Sequence, residues 1–156
     1  MKLFRPAGSR RGRALQLMQA LRDLARQSQQ LDRRYLAGSE LSPAQWHCME
    51  ELWRRGPQPM GELAERLAIA RSSATRLVDP LEKKGFLKRK TSADDGRSQT
   101  VDLSRLGEQL VADLLGEAEA AYDRLYRSLR AEERDVWLAA AHSLAESQRL
   151  LLERDS

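Results

Sequence analysis

The densest group of hydrogen-bonding and cationic side chains in this 156-residue chain lies between Arg71 and Lys90. Arg71, Ser72, Ser73, Thr75 and Arg76 fall within one short stretch, and Lys83, Lys84, Lys88 and Lys90 follow; the only other lysine is Lys2. An arginine fork matches a guanine edge or a phosphate, a hydroxyl bonds to phosphate or base, and an ammonium anchors a phosphate as a point charge. The chemistry on offer is recognition of a polyanion.

Bond-making chemistry has few candidates. The two histidines are His47 and His142, and His47 and Cys48 are helix neighbours set about 100° apart, so they cannot face one another as nucleophile and base. His47 with Glu50 or Glu51 would offer zinc two ligands from one helix, which is too few. Cys48 is the single cysteine, so no intramolecular disulfide or multi-cysteine metal site can form. It reads as a small buried apolar residue, with redox sensing as the alternative. No catalytic residue, metal or cofactor is expected.

Charge is distributed unevenly. Residues 1–13 carry five basic and no acidic residues, 14–70 balance at seven each, 71–97 carry eight against four, and 98–156 carry seven against twelve. Clustered Lys and Arg can displace counterions from phosphates, so two basic segments on a neutral-to-acidic body suit a polyanionic partner. With 41% apolar and 32% charged residues, no apolar run approaches the roughly 20 residues of a membrane span. The basic start leads into an arginine-interrupted amphipathic stretch, not a secretory signal, and a cytoplasmic protein is expected.

Helices must position these groups. Leu17, Leu21, Leu24, Leu31 and Tyr35 form a seam predicting one long helix from Arg13 to Leu36. Ser42-Pro43-Ala44-Gln45 is a capping box with proline at the first helical position, opening a helix to about Arg54 that should bury Trp46, Met49 and Trp53 before Gly56-Pro57. Met60, Leu63, Ala64 and Leu67, then Ala74, Leu77, Val78 and Leu81, predict two short helices joined by Ala68-Ile69-Ala70, a helix-turn-helix. That phase leaves Ser72, Ser73, Thr75, Arg76 and Asp79 on outward or flanking faces. Gly85 closes the second helix, and Phe86–Lys90 and Thr100–Leu103 predict a hairpin around the turn-rich 91–98. Leu106, Leu110, Leu114, Ala118, Ala121 or Tyr122, and Leu125 predict a long helix. Another is expected over Ala131–Glu153 with Val136 or Trp137, Ala140, Leu144, Leu151 and Leu152 inward.

The order and spacing of these segments resemble the winged helix-turn-helix domain of MarR-type transcriptional regulators. The resemblance rests on Leu41-Ser42 with Gln45-Trp46, Gly61-Glu62-Leu63-Ala64-Glu65-Arg66-Leu67, Thr75-Arg76-Leu77-Val78-Asp79, Leu81-Glu82-Lys83-Lys84-Gly85, and Asp95-Gly96-Arg97. It implies a mainly α fold with a small β-hairpin wing: a basic tail over 1–13 and a regulator domain over 14–156. Within that domain 42–103 would bind DNA, and 14–36 and 104–153 would be dimerisation helices. It also implies that Arg97 enters the minor groove, held by Asp95. Leu17, Leu21, Leu24, Leu144, Leu151 and Leu152 are the candidate dimer contacts. Two departures stand out: Ala68 and Ala70 occupy the turn where the family has glycine and then serine or threonine, and Pro80 interrupts the recognition helix.

The resulting expectation is a homodimeric regulator of double-stranded DNA, repressing transcription from a palindromic operator, with room for a small aromatic or phenolic effector. The alternatives are a non-catalytic helical interaction protein and a regulator that senses redox through Cys48. Single-stranded nucleic acid is disfavoured, because only Phe86 of the eight aromatic residues falls in the wing.

Overall fold

A computed structural model of the chain describes residues 10–91 and 99–154, and the chain divides into two compact units, Met1–Glu117 and Ala118–Ser156. In order the elements are α1 (Arg10–Tyr35), α2 (Pro43–Arg55), β1 (Gln58–Pro59), α3 (Met60–Arg66), α4 (Arg71–Lys83), β2 (Leu87–Thr91), β3 (Gln99–Leu103), α5 (Arg105–Ser128), a 3-10 turn (Ala131–Glu133) and α6 (Arg134–Arg154). The boundary between the units falls within α5.

The punctuation residues behave as their chemistry requires. The Ser42 side chain accepts from the Gln45 N–H at 3.2 Å, and the Gln45 side chain accepts from the Ser42 N–H at 3.0 Å. Gly56 and Gly85 close α2 and α4 with φ of 76° and 78°, a region where a Cβ would be strained. Helix α1 begins at Arg10, so Arg10, Arg11 and Arg13 form its first turn instead of belonging to a tail. Residues 1–9, the rest of the expected tail, lie outside the described residues.

The sheet has three antiparallel strands in the order β1-β3-β2, one more than the expected hairpin. Val101 of β3 is flanked by Gln58 on one side and Arg89 on the other, while Leu87 pairs with Leu103 and Lys88 with Asp102. Alternation therefore gives one sheet face Leu87, Arg89, Val101 and Leu103, and the other Lys88, Lys90, Thr100 and Asp102. Leu87, Val101 and Leu103 join Trp46, Met49, Leu52, Leu63, Val78, Leu81 and Val111 in one core. Each large side chain sequestered there contributes roughly 1.5–3 kcal/mol.

Two expectations about burial are corrected. Trp53 is 43% exposed. The buried stripe of α2 is centred on Cys48, Met49 and Leu52; Trp46 lies at its edge and is covered by Tyr35, ring edge to face at 6.1 Å, whereas Trp53, two turns on along that edge, has no such ring partner among the described residues. In the second unit α6 buries none of its residues: Val136, Trp137, Leu151 and Leu152 are exposed, and Leu144 is half-buried. A unit of this size has too few other elements to cover a helical stripe.

Candidate nucleic-acid interface

Helices α3 and α4 are joined by a tight turn. The Ile69 N–H reaches the Ala64 carbonyl at 3.0 Å and the Ala68 N–H that of Glu65 at 3.0 Å, with Ala68 in the left-handed region at φ 53°. That is the conformation glycine supplies most cheaply, so the alanine there carries strain. Ala70 caps α4 with no side-chain hydrogen bond, and the helix starts with its first N–H groups uncapped by any hydroxyl. Pro80 does not end it: α4 continues to Lys83, and the Lys84 N–H bonds to the Pro80 carbonyl at 3.0 Å.

Helix α4 sits on the core through Ala74, Val78 and Leu81, all fully buried. The helical period then aligns Ser72, Arg76 and Lys83 on the opposite side, and all three are exposed, as are Arg71 and Ser73. Thr75 is half-buried on the flank, and its hydroxyl donates to the Arg71 carbonyl at 3.1 Å. Arg71, Arg76 and Lys83 make no ion pair among the described residues.

The remaining candidates divide. Lys90 is exposed on the outward face of β2, without an ion pair among the described residues. Lys88 on the same face lies 2.9 Å from its cross-strand neighbour Asp102, and Lys84 is drawn to the α1–α2 loop, donating to the Glu40 carbonyl at 3.2 Å beside its carboxylate. Asp95 and Arg97 lie outside the described residues. Of the candidate dimer contacts, Leu17, Leu24, Leu151 and Leu152 are exposed in the protomer and Leu21 and Leu144 half-buried.

Arg89 is a further functional candidate that the basic pattern of the sequence does not distinguish. It leaves the basic face of the wing and turns to α4, where it pairs with Asp79 and, at 3.3 Å, with Glu82. The signal was present in the strand alternation, which gives Arg89 the phase of Leu87, and in two carboxylates three residues apart on the helix. Asp79 therefore lies on the side of Arg76 and Lys83 with its side chain 44% exposed, but it is held in an ion pair and is not free.

The other chemistries have no constellation. No group of three or more His, Cys, Asp and Glu side chains among the described residues could hold a metal ion. His47 lies 3.3 Å from Asp32 and close to no second ligand set. Cys48 is fully buried, and burial pushes its thiol up to about 12, so the thiolate needed for redox chemistry is scarce at neutral pH. None of the described helices is long and apolar enough to cross a membrane.

This order of elements, with an outward cationic face on the second helix of the turn and a hairpin behind it, is matched by the MarR family model over residues 41–99. Residues 41–99 form a MarR-family domain. The HTH-type transcriptional regulator MhqR of Bacillus subtilis is 31% identical to the chain over 93 residues, covering 60% of this chain and 64% of MhqR. The match thus spans somewhat under two thirds of that curated relative. A crystal structure of MarR superposes with a TM-score of 0.79 at 24% identity, covering 88% of this chain and 94% of the other. A structure concerned with the regulation of DNA binding of Bordetella bronchiseptica BpsR by 6-hydroxynicotinic acid gives 0.73 at 19% identity, covering 83% and 98%. These two likenesses establish the winged-helix fold. On this fold α3 and α4 form the helix-turn-helix and β2 with β3 the wing.

Proposed function

We propose that the protein is a sequence-specific regulator of transcription that binds double-stranded DNA as a homodimer and catalyses no reaction. The observation that carries this reading is the line of Ser72, Arg76 and Lys83 along the outward face of α4, its cations unpaired among the described residues. A recognition helix in the major groove needs such a face, with arginine available for a guanine edge and lysine for phosphate. Arg71, Ser73, Thr75 and Lys90 extend it. Lys84 and Lys88 contribute to the field from within ion pairs, and Arg97, with Asp95, supplies the minor-groove contact.

The exposed apolar stripes support assembly. Leu17, Leu21 and Leu24 of α1 and Leu144, Leu151 and Leu152 of α6 leave surface that a second copy would cover, and two-fold symmetry of the dimer implies a palindromic operator. Repression by occupying a promoter in the cytoplasm, relieved by a small aromatic or phenolic effector, is the regulatory reading. It is supported by the fold shared with BpsR, whose DNA binding is regulated by 6-hydroxynicotinic acid. Burial of Cys48 speaks against the redox alternative.

Selection of bound sequences from a random duplex pool tests the proposal. A palindromic preference is expected, and Arg76→Ala should weaken the selected site by roughly 1–3 kcal/mol while relaxing base preference, with sedimentation near twice 17.8 kDa. A folded monomer with no preference for any duplex over bulk DNA would overturn it in favour of a helical interaction protein.

A further inference from the structure

One cation of the wing does not face outward. Arg89, in the middle of β2, turns its guanidinium to α4, where Nη2 donates to Asp79 Oδ1 and Nη1 lies 3.3 Å from Glu82 Oε2. Its side chain is 21% exposed, and its Nε is buried with no hydrogen-bond partner among the described residues. The two carboxylates bracket Pro80, which has no N–H to offer the carbonyl of Arg76. The clamp thus crosses the one place where the ladder of α4 lacks a rung.

Asp79 also lies within a turn of two interface cations, Arg76 three residues before it and Lys83 four residues after it. At both spacings a carboxylate and a cation meet on a helix surface. Neither pair forms; Asp79 is on Arg89 instead. A carboxylate released here would neutralise one of the cations that meet DNA and would itself repel phosphate.

We propose that Arg89 is a positioning residue of the DNA interface: it draws Asp79 away from Arg76 and Lys83 and fastens the wing to the recognition helix across Pro80. The inference rests on the DNA-binding reading above and adds to it a reason for the availability of Arg76. Removing Arg89 then harms binding through what Asp79 does next, and removing the charge of Asp79 as well should cure part of the harm.

The test compares the parent protein, Arg89→Ala, Asp79→Asn and the double variant on a duplex selected by the parent protein. Arg89→Ala should bind at least tenfold more weakly and show a salt slope shallower by about one ion, because a released Asp79 cancels one phosphate-facing cation. The double variant should recover at least threefold and regain the slope. Asp79→Asn alone should lose less than Arg89→Ala, although both break the pair; a merely structural tie predicts equal losses and no recovery. If Arg89→Ala does not fold, Arg89→Met, which keeps an apolar stem, takes its place in both comparisons. Binding of the Arg89 variant within twofold of the parent, or a double variant no tighter than it, overturns the inference while leaving the DNA-binding reading intact. Amide exchange in the free protein provides an arm that needs no DNA. Faster exchange at residues 81–84 with α3 unchanged supports the clamp, and unchanged exchange overturns it. A parent protein that prefers no duplex would instead sink the functional reading.

Discussion

Gly107, in the first turn of α5, lies directly against the carbonyl of Phe86: a Cβ added at Gly107 would overlap that oxygen and come within 3.0 Å of the carbonyl carbon. The approach is fixed from both sides. The Ser104 N–H donates to the same Phe86 oxygen at 2.9 Å, the Ser104 hydroxyl donates to the Gly85 carbonyl at 2.6 Å, and the Gly107 N–H donates to the Ser104 oxygen at 3.0 Å. The start of α5 is thereby stapled to the residues that follow α4.

Gly107→Ala should therefore destabilise the first unit, even though alanine is the better helix former by up to about 1 kcal/mol. The obstacle is backbone that both partners hold, and overpacking of this kind costs about 1–3 kcal/mol. A urea titration should show a lower midpoint at unchanged slope; a rise in the midpoint would mean that α5 shifts freely.

The turn between α3 and α4 invites the opposite change. Ala68→Gly relieves a left-handed alanine and Ala70→Ser supplies the missing cap, each worth roughly 1 kcal/mol at most. Both single variants should melt above the parent. A lower melting point for Ala70→Ser would show that its hydroxyl cannot reach the N–H groups of α4.

How much of this was readable beforehand depended on how local the signal was. The capping box at Ser42, the glycines at 56 and 85 and the periodicity of Ala74, Val78 and Leu81 act within a turn or two, so the sequence carries them almost intact. Strand β1 is two residues long and half proline, below any periodicity, and exists because Gln58 and Pro59 meet β3 more than 40 residues later. The role of Arg89 needs the register of β2 against β3, and the ion pairs of Lys84 and Lys88 need Glu40 and Asp102, which are distant in sequence. Trp53 and α6 depart from expectation for one reason: amphipathicity says which side of a helix is apolar but not whether the rest of the chain covers it.

Cys48 gives a pH dependence with a definite sign. Its thiol titrates near 12 when folded against the usual 9.0, so below about pH 9 both states hold the proton and the group is neutral toward folding. From there to about pH 12 the unfolded chain loses the proton first, and stability falls as pH rises. Cys48→Ala should flatten that part of the alkaline limb relative to the parent, and a thiol reagent at pH 8 should react only at the rate of opening. Rapid labelling of the native protein would contradict the burial.

On the proposed minor-groove role of Arg97, Arg97→Ala should lower affinity at least tenfold, about 1.4 kcal/mol, with helix content and assembly unchanged. Asp95→Ala should lose less in the same direction, because the arginine remains but is less fixed. The loss should be largest on A·T-rich flanks, where a narrow minor groove concentrates negative potential. Equal binding by Arg97→Ala and the parent on such a duplex would remove the wing from the interface.

The hydrogen bond from Thr75 to the carbonyl of Arg71 restricts what that residue can say to a base. A hydroxyl has one proton and two lone pairs, and here the proton already belongs to the helix backbone. In the proposed interface Thr75 would be left as an acceptor, able to meet the amino group of adenine or cytosine but not the carbonyl oxygen of guanine or thymine. Arg76, one residue on, has only donors, which on the proposed function would suit the oxygen and nitrogen edge of guanine. Neighbouring positions on one helix thus speak in opposite polarities, and an operator that satisfies both would set an amino-bearing base close to a guanine.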